Sequence, residues 1–179
     1  GILIRLMAIH ILGTIFAYKV YIKLSSLGDG YLPTSFNGWY HDGVFSATTL
    51  VLGIYHYLDV ILPGVLTPMA LGGVVAILTW YAFRDVYTQI NPKLFWACNL
   101  FPLFLIWSGS SSKEQIVIIF GIIIINFAAK RSFAASRLNI ISLAIVLTSL
   151  CFIFIIRQNY FVIYFTIFLT SLFAPTLRK

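Results

Sequence analysis

The feature of this sequence that most restricts its fold is a succession of long apolar runs separated by short polar segments. Hydrophobic residues make up 60% of the 179 residues and charged residues only 9%, whereas about 25% of residues are charged in an ordinary globular domain. A soluble domain of this size leaves roughly 30% of its unfolded surface exposed, so it could not hide this much apolar surface from water. We therefore predict an all-α fold, a polytopic transmembrane helical bundle whose surplus apolar surface faces lipid.

The lengths of the apolar runs predict six membrane spans, because about 20 residues at roughly 1.5 Å each cross the hydrocarbon core of a bilayer. Pro102 interrupts the third span, which is expected to stop short of the far surface. In the first span, Arg5, His10 and Lys19 are expected either near an interface or facing a polar interior. A further run, 43–57, is short and predicts an interfacial or re-entrant helix; if it spanned the bilayer, the polar segment before it would change sides. The predicted spans are residues 2–22, 63–83, 94–107, 115–129, 138–156 and 160–177.

The basic residues predict an orientation and argue against nucleic-acid binding. The formal net charge is +7, but lysines and arginines lie between the apolar runs rather than in one stripe, which is typical of cytoplasmic loops. This placement puts the N-terminus in the cytoplasm and gathers the polar segments 28–42, 108–114 and 157–159 at the opposite face. The predicted cytoplasmic residues are Arg84, Lys93, Lys130, Arg131, Arg137, Arg178 and Lys179.

The segment 108–114 holds the most informative candidate residues. Ser111 or Ser112 can cap the helix that follows, and Glu114 suits the positive end of the helix dipole. A lysine at that end is unfavourable unless it binds an anion, and free N–H groups together with a lysine form a site for phosphate. Helix capping thus explains Glu114, whereas Lys113 is either a solvated residue at a loop end or a phosphate-binding residue.

The first polar segment and Arg157 supply the other candidates. Asp29 stands between two glycines and is a turn residue, a general base or a metal ligand. Tyr40, His41 and Asp42 add further polar groups, but their spacing resembles no established metal site, so a divalent metal cofactor stays open. Arg157 is either part of a simple turn between two apolar runs or a second cation for an anionic substrate.

Several short motifs together carry a family resemblance. They are Gly28-Asp29-Gly30-Tyr31, Tyr40-His41-Asp42-Gly43, Trp107-Ser108-Gly109, Ser112-Lys113-Glu114 and Arg157. In this order they resemble bacterial polytopic proteins of surface-polysaccharide assembly, the O-antigen or capsule polymerases and the C-type membrane-embedded glycosyltransferases. The sequence departs from that pattern at Gln158, where the family often has proline. Such proteins usually have about twice as many spans, so the resemblance implies that the single transmembrane domain of residues 1–179 is an N-terminal half or a minimal relative.

The resemblance implies glycosyl transfer from a polyprenyl-phosphate-linked sugar or oligosaccharide at the outer face of the bacterial inner (plasma) membrane. Asp29 or Asp42 would be the catalytic base, and Lys113 and Arg157 would bind the substrate phosphate. Membrane lipid and a polyprenyl-linked glycan are the expected partners. The alternative is a non-catalytic lipid-binding or transport subunit whose cations hold a lipid headgroup. In the glycosyl-transfer site, the supporting residues would be Tyr40, His41, Ser112 and Glu114.

Overall fold

The chain folds into helices. The computed structural model describes residues 1–17, 47–85, 87, 91–109, 112–133 and 139–173. Within these ranges there are eight α-helices and no strand, which confirms the predicted all-α class. The helices are α1 (Ile2–Phe16), α2 (Ala47–Ile61), α3 (Leu66–Phe83), α4 (Pro92–Leu100), α5 (Pro102–Gly109), α6 (Lys113–Phe133), α7 (Ile140–Ile156) and α8 (Gln158–Phe173).

Local sequence signals set several helix ends. The side-chain oxygens of Asn91 and Asn139 accept hydrogen bonds from backbone N–H groups two residues further on, and so cap α4 and α7. Between α2 and α3, Gly64 adopts a φ of 66°, which residues with a side chain rarely adopt. Its N–H donates to Asp59 Oδ1 at 2.7 Å, which closes the turn.

Helix α6 is central to the bundle. It packs against α3, α7 and α8, while α1 packs against α3 and α5. Gln115 near the start of α6 contacts Pro68 near the start of α3, and Lys130 near the end of α6 lies over Tyr81 near the end of α3, so the two helices are parallel. Helix α7 runs the opposite way, since it finishes where α6 begins. We name the two ends of the bundle the Glu114 end, where α6 begins, and the Lys130 end, where α6 finishes.

Apolar side chains cover both the inside and the outside of the bundle. The largest buried cluster joins α2, α6, α7 and α8 and includes Tyr55, Ile124 and Ile153, each 0% exposed. Outside, Ile140 is 85% exposed and Val60 is 73% exposed. The helices therefore present apolar surface to their surroundings as well as to one another.

The predicted number of spans is met only in part. In the described ranges two helical stretches are long and apolar enough to cross a bilayer, α3 and residues Lys113–Ser132 of α6, where the sequence predicts six. Helices α1, α7 and α8 have 15, 17 and 16 residues. The run 94–107, predicted as one span interrupted at Pro102, forms the separate helices α4 and α5, so the predicted interruption is confirmed. Pro102 lacks an N–H, and the residue before it, Phe101, is extended with φ −61° and ψ 121°.

Three other predicted boundaries also differ from the structure. Helix α6 begins at Lys113, two residues before the predicted start of its span. Helix α2 runs to Ile61, past the predicted end at residue 57. The predicted break 157–159 is one residue, because the Tyr160 N–H already donates to the carbonyl of Arg157 at 3.1 Å and α8 starts at once.

Candidate functional site

An ion pair joins two of the predicted polar segments at the Glu114 end. Arg157 Nη2 donates to Glu114 Oε1 at 2.6 Å. The Glu114 side chain is 12% exposed and the Arg157 side chain 35% exposed, so the pair is partly shielded from solvent. The structure therefore brings the start of α6 and the turn between α7 and α8 into direct contact.

The backbone around Arg157 explains why its side chain reaches α6. Arg157 is the single residue between α7 and α8, with φ −152° and ψ 91°. Its N–H donates to the Ile153 carbonyl at 2.7 Å, and its carbonyl accepts from the Tyr160 N–H, so the turn satisfies its own backbone groups. Glu114 lies in the first turn of α6, where the helix dipole stabilises a carboxylate. The guanidinium therefore meets the carboxylate where the dipole of α6 already favours a negative charge.

The corner formed by Lys113, Glu114 and Arg157 has the groups needed to hold an anion that carries a hydroxyl. Lys113 is the first residue of α6 and is partly exposed, and Ser112 before it is buried. Glu114 Oε2 is buried and has no hydrogen-bond partner within the described part of the chain. Lysine and guanidinium N–H groups donate to phosphate oxygens, whereas a carboxylate oxygen accepts from a hydroxyl.

A buried polar network lies next to this corner. Tyr55 Oη donates to Gln115 Oε1 at 2.5 Å, and the Ser112 carbonyl oxygen lies 3.2 Å from the same hydroxyl. Gln115 Nε2 donates to the Ser108 carbonyl at 2.5 Å, and Ser108 Oγ lies 3.2 Å from His10 Nδ1. The four side chains that form the network are 0% exposed. Because buried polar groups are costly without partners, these bonds hold α1, α2, α5 and α6 in one arrangement around the start of α6.

The structure describes half of the predicted site. Ser112, Lys113, Glu114 and Arg157 lie at the Glu114 end. Their predicted proximity to the first polar segment stays a prediction, because that segment lies outside the described residues. Among the described residues, no group of three or more His, Cys, Asp or Glu side chains could hold a metal ion. The predicted residues outside the described ranges are Asp29, Tyr40, His41 and Asp42.

The sequence pattern did not indicate that Gln115 and Tyr55 are hydrogen-bond partners beside the candidate site. The sequence placed Gln115 only as the first residue of a span, and it placed Tyr55 within a short apolar run. The signal for Gln115 was its position against an apolar run, where an unpaired amide is costly and a partner is expected. His10 was expected near an interface or facing a polar interior, and its burial beside Ser108 agrees with the polar interior.

Comparison with known proteins does not assign the chain to a family. No family model matches it, and no curated protein or solved structure is significantly similar to it. The function of this chain is therefore inferred from its own residues.

Proposed function

We propose that the chain is a multi-pass protein of the bacterial inner membrane that transfers a glycosyl group from a polyprenyl-phosphate-linked sugar or oligosaccharide at the outer face. The observation that carries the proposal is the ion pair between Glu114 and Arg157. It brings the guanidinium of Arg157 to the first turn of α6, where Lys113 and the helix dipole already favour an anion. The resemblance of the short motifs to membrane-embedded glycosyltransferases supports the same reaction.

The exposure of apolar side chains supports the membrane location. In each of the two helical stretches long enough to span a bilayer, 39% of the residues are buried inside the bundle. A core helix of a soluble protein would be mostly buried, whereas a helix of a small membrane bundle can turn much of its surface to lipid. Ile4, Ile141 and Val162 place similar apolar surface on the outside of α1, α7 and α8. A bilayer would cover this surface.

The helix lengths and the positions of basic residues support a six-span arrangement. The 17 residues of α7 cover about 26 Å, close to the ~30 Å hydrocarbon core. Helices α4 and α5 together would form one broken span. Arg84 and Lys130 lie 4.6 Å and 4.5 Å from the centre of the Tyr81 ring, so cations gather at the Lys130 end. Cytoplasmic loops carry such an excess of cations, which supports an orientation with the Glu114 end and Arg157 at the outer face and the N-terminus in the cytoplasm.

The proposed reaction uses the predicted residues in distinct roles. Asp29 or Asp42 takes the proton from an acceptor hydroxyl, whose oxygen attacks the anomeric carbon of the donor sugar. The bond between that carbon and the phosphate oxygen breaks, and negative charge develops on the leaving lipid phosphate. Lys113 and Arg157 stabilise this charge. Glu114 orients the guanidinium, whose planar group carries five N–H donors.

Four single variants test the enzymatic proposal, scored by glycan assembly in cells that depend on this protein. We expect glycan to be lost in both variants that remove a cation, Lys113→Ala and Arg157→Ala, and in at least one of the two aspartate variants. The amount of protein in the membrane should stay unchanged. Normal glycan in all four would exclude the proposed reaction. Normal glycan in both aspartate variants, with loss in the cation variants, would indicate the non-catalytic lipid-binding or transport subunit. The variants are Asp29→Asn, Asp42→Asn, Lys113→Ala and Arg157→Ala.

Matched controls separate a role in the reaction from a role in folding. Asp85→Asn and Lys93→Ala remove the same charges near the Lys130 end and should leave glycan assembly normal. Arg157→Ala also leaves Glu114 without its ion-pair partner, and breaking a shielded pair by removing one charge is destabilising. The double variant Glu114→Gln/Arg157→Gln removes both charges. If it restores glycan, Arg157 acts only by neutralising Glu114, and its proposed phosphate contact is wrong.

A further inference from the structure

A cavity opens between α3, α6 and α7 at the Lys130 end of the bundle. Its volume is about 280 Å³, room for about nine water molecules at ~30 Å³ each. Four side chains with polar groups line it: Tyr81, Asn126, Lys130 and Ser142. Isoleucine, valine and phenylalanine side chains form the rest of the wall. The cavity therefore combines polar groups with an apolar wall.

The cavity carries a positive charge. Lys130 Nζ lies 4.5 Å from the centre of the Tyr81 ring, whose face attracts a cation. Among the described residues, the ion pairs join Arg84 to Asp85 and Arg157 to Glu114, and no carboxylate pairs with Lys130. An anion entering the cavity would thus meet a cation that is held in place by an aromatic ring.

One of the residues that line the cavity, Asn126, has an acceptor without a donor. Its Oδ1 is buried and has no hydrogen-bond partner in the part of the chain that the structure describes. An amide oxygen accepts but does not donate, so an O–H or N–H group that reached this atom would satisfy it. Buried polar atoms are normally paired, and an exception calls for an explanation. A ligand that supplies both an anion and a hydroxyl would satisfy Lys130 and Asn126 together.

We propose that this cavity binds the headgroup of an anionic phospholipid that carries a hydroxyl, such as phosphatidylglycerol. The phosphate lies at Lys130, the headgroup hydroxyl donates to Asn126 Oδ1, and the glycerol backbone packs against the apolar wall. The inference rests on the membrane location proposed above, which puts the Lys130 end at the cytoplasmic interface. Basic pockets between helices at that level bind anionic lipid headgroups. This lipid site is separate from the glycosyl-transfer site at the opposite end.

Lipid retention by the purified full chain tests the proposal. Native mass spectrometry would compare retained phosphatidylglycerol with retained phosphatidylcholine, which has no net charge and no headgroup hydroxyl. We expect a preference of about fivefold for phosphatidylglycerol, the effect of one lysine near a membrane surface. Lys130→Ala should abolish the preference, and the matched control Lys93→Ala should keep it. Equal retention of the two lipids by the unmodified protein, or an unchanged preference in Lys130→Ala, would overturn the proposal.

A second variant separates lipid binding from folding. Asn126→Leu removes the buried acceptor at similar volume, so we expect unchanged or higher thermal stability and a weaker preference for phosphatidylglycerol. Lower stability with an unchanged preference would show that Asn126 has a structural role. Displacement of the lipid by millimolar glycerol phosphate would show that the site takes a soluble phosphate rather than a lipid. If these lipid results fail while Lys113→Ala still abolishes glycan assembly, the lipid site alone is wrong.

Discussion

Gly121 offers the sharpest test of how α6 packs against α8. A Cβ added to Gly121 would overlap the Cζ and Oη atoms of Tyr164. Gly73 in α3 is the matched control, because an added Cβ there would have no neighbour within 4 Å. The substitutions Gly121→Ala and Gly73→Ala are chemically identical and both lie inside helices. Their difference therefore reports the contact with Tyr164.

The magnitude follows from two opposing effects. Replacing glycine by alanine inside a helix stabilises it by about 1 kcal/mol, and this gain is common to both variants. Overpacking at Gly121 forces the Tyr164 ring or the helix itself to move, which costs roughly 1–3 kcal/mol. We therefore expect Gly73→Ala to be neutral or stabilising, and Gly121→Ala to be less stable than it by about 2 kcal/mol. For a chain of this size that difference corresponds to an apparent Tm about 6 °C lower.

Thermal unfolding of the purified protein in detergent would measure the difference, and a second substitution would locate its cause. Tyr164→Leu removes the ring atoms that the new methyl group would meet. The double variant Gly121→Ala/Tyr164→Leu should therefore be more stable than the sum of the single effects predicts, by about 1 kcal/mol or more. An apparent Tm of Gly121→Ala equal to that of Gly73→Ala, or strictly additive effects in the double variant, would refute the packing of α6 on α8 described above.

Three further predictions test the network, the topology and a helix end. Gln115→Leu leaves the Tyr55 hydroxyl and a buried carbonyl without their amide partner. The free energy of unfolding should therefore fall by about 2–4 kcal/mol. A fall below about 1 kcal/mol, measured by unfolding in detergent, would contradict the network. The orientation can be tested by labelling single cysteines in a background whose natural cysteines are replaced by serine. Lys113→Cys should react with an impermeant thiol reagent from outside the cell, whereas Lys93→Cys should react only after permeabilisation. Equal reactivity of the two variants in intact cells would contradict the orientation. Asn139→Ala removes the side-chain cap of α7 and should cost about 1 kcal/mol, and an unchanged apparent Tm would show that the cap does not stabilise the helix.

Much of the helix pattern could be predicted from the sequence, because its signals are local. Each described helix falls on a predicted apolar run, and the run containing Pro102 is interrupted where the backbone loses a donor. The gathering of basic residues could also be predicted, and Arg84 and Lys130 do lie at the same end, each over the ring of Tyr81. The charges of the loops and the direction of each span are sufficient to predict which end of the bundle carries the basic residues. The predicted positions of the helix ends were less accurate, as the one-residue turn at Arg157 shows.

The sequence by itself determined that this chain forms apolar helices and where their polar interruptions fall. Only the tertiary structure decided that Arg157 binds Glu114, that Tyr55 binds Gln115 and that Lys130 lines a cavity. In a helix with a single apolar face, the pattern of residues indicates which side packs inward. Most of these helices are apolar on every side, so their sequences leave the rotation about the helix axis undetermined. Close contacts such as that of Gly121 with Tyr164, together with a few buried hydrogen bonds, select that rotation, and they exist only once the helices are packed.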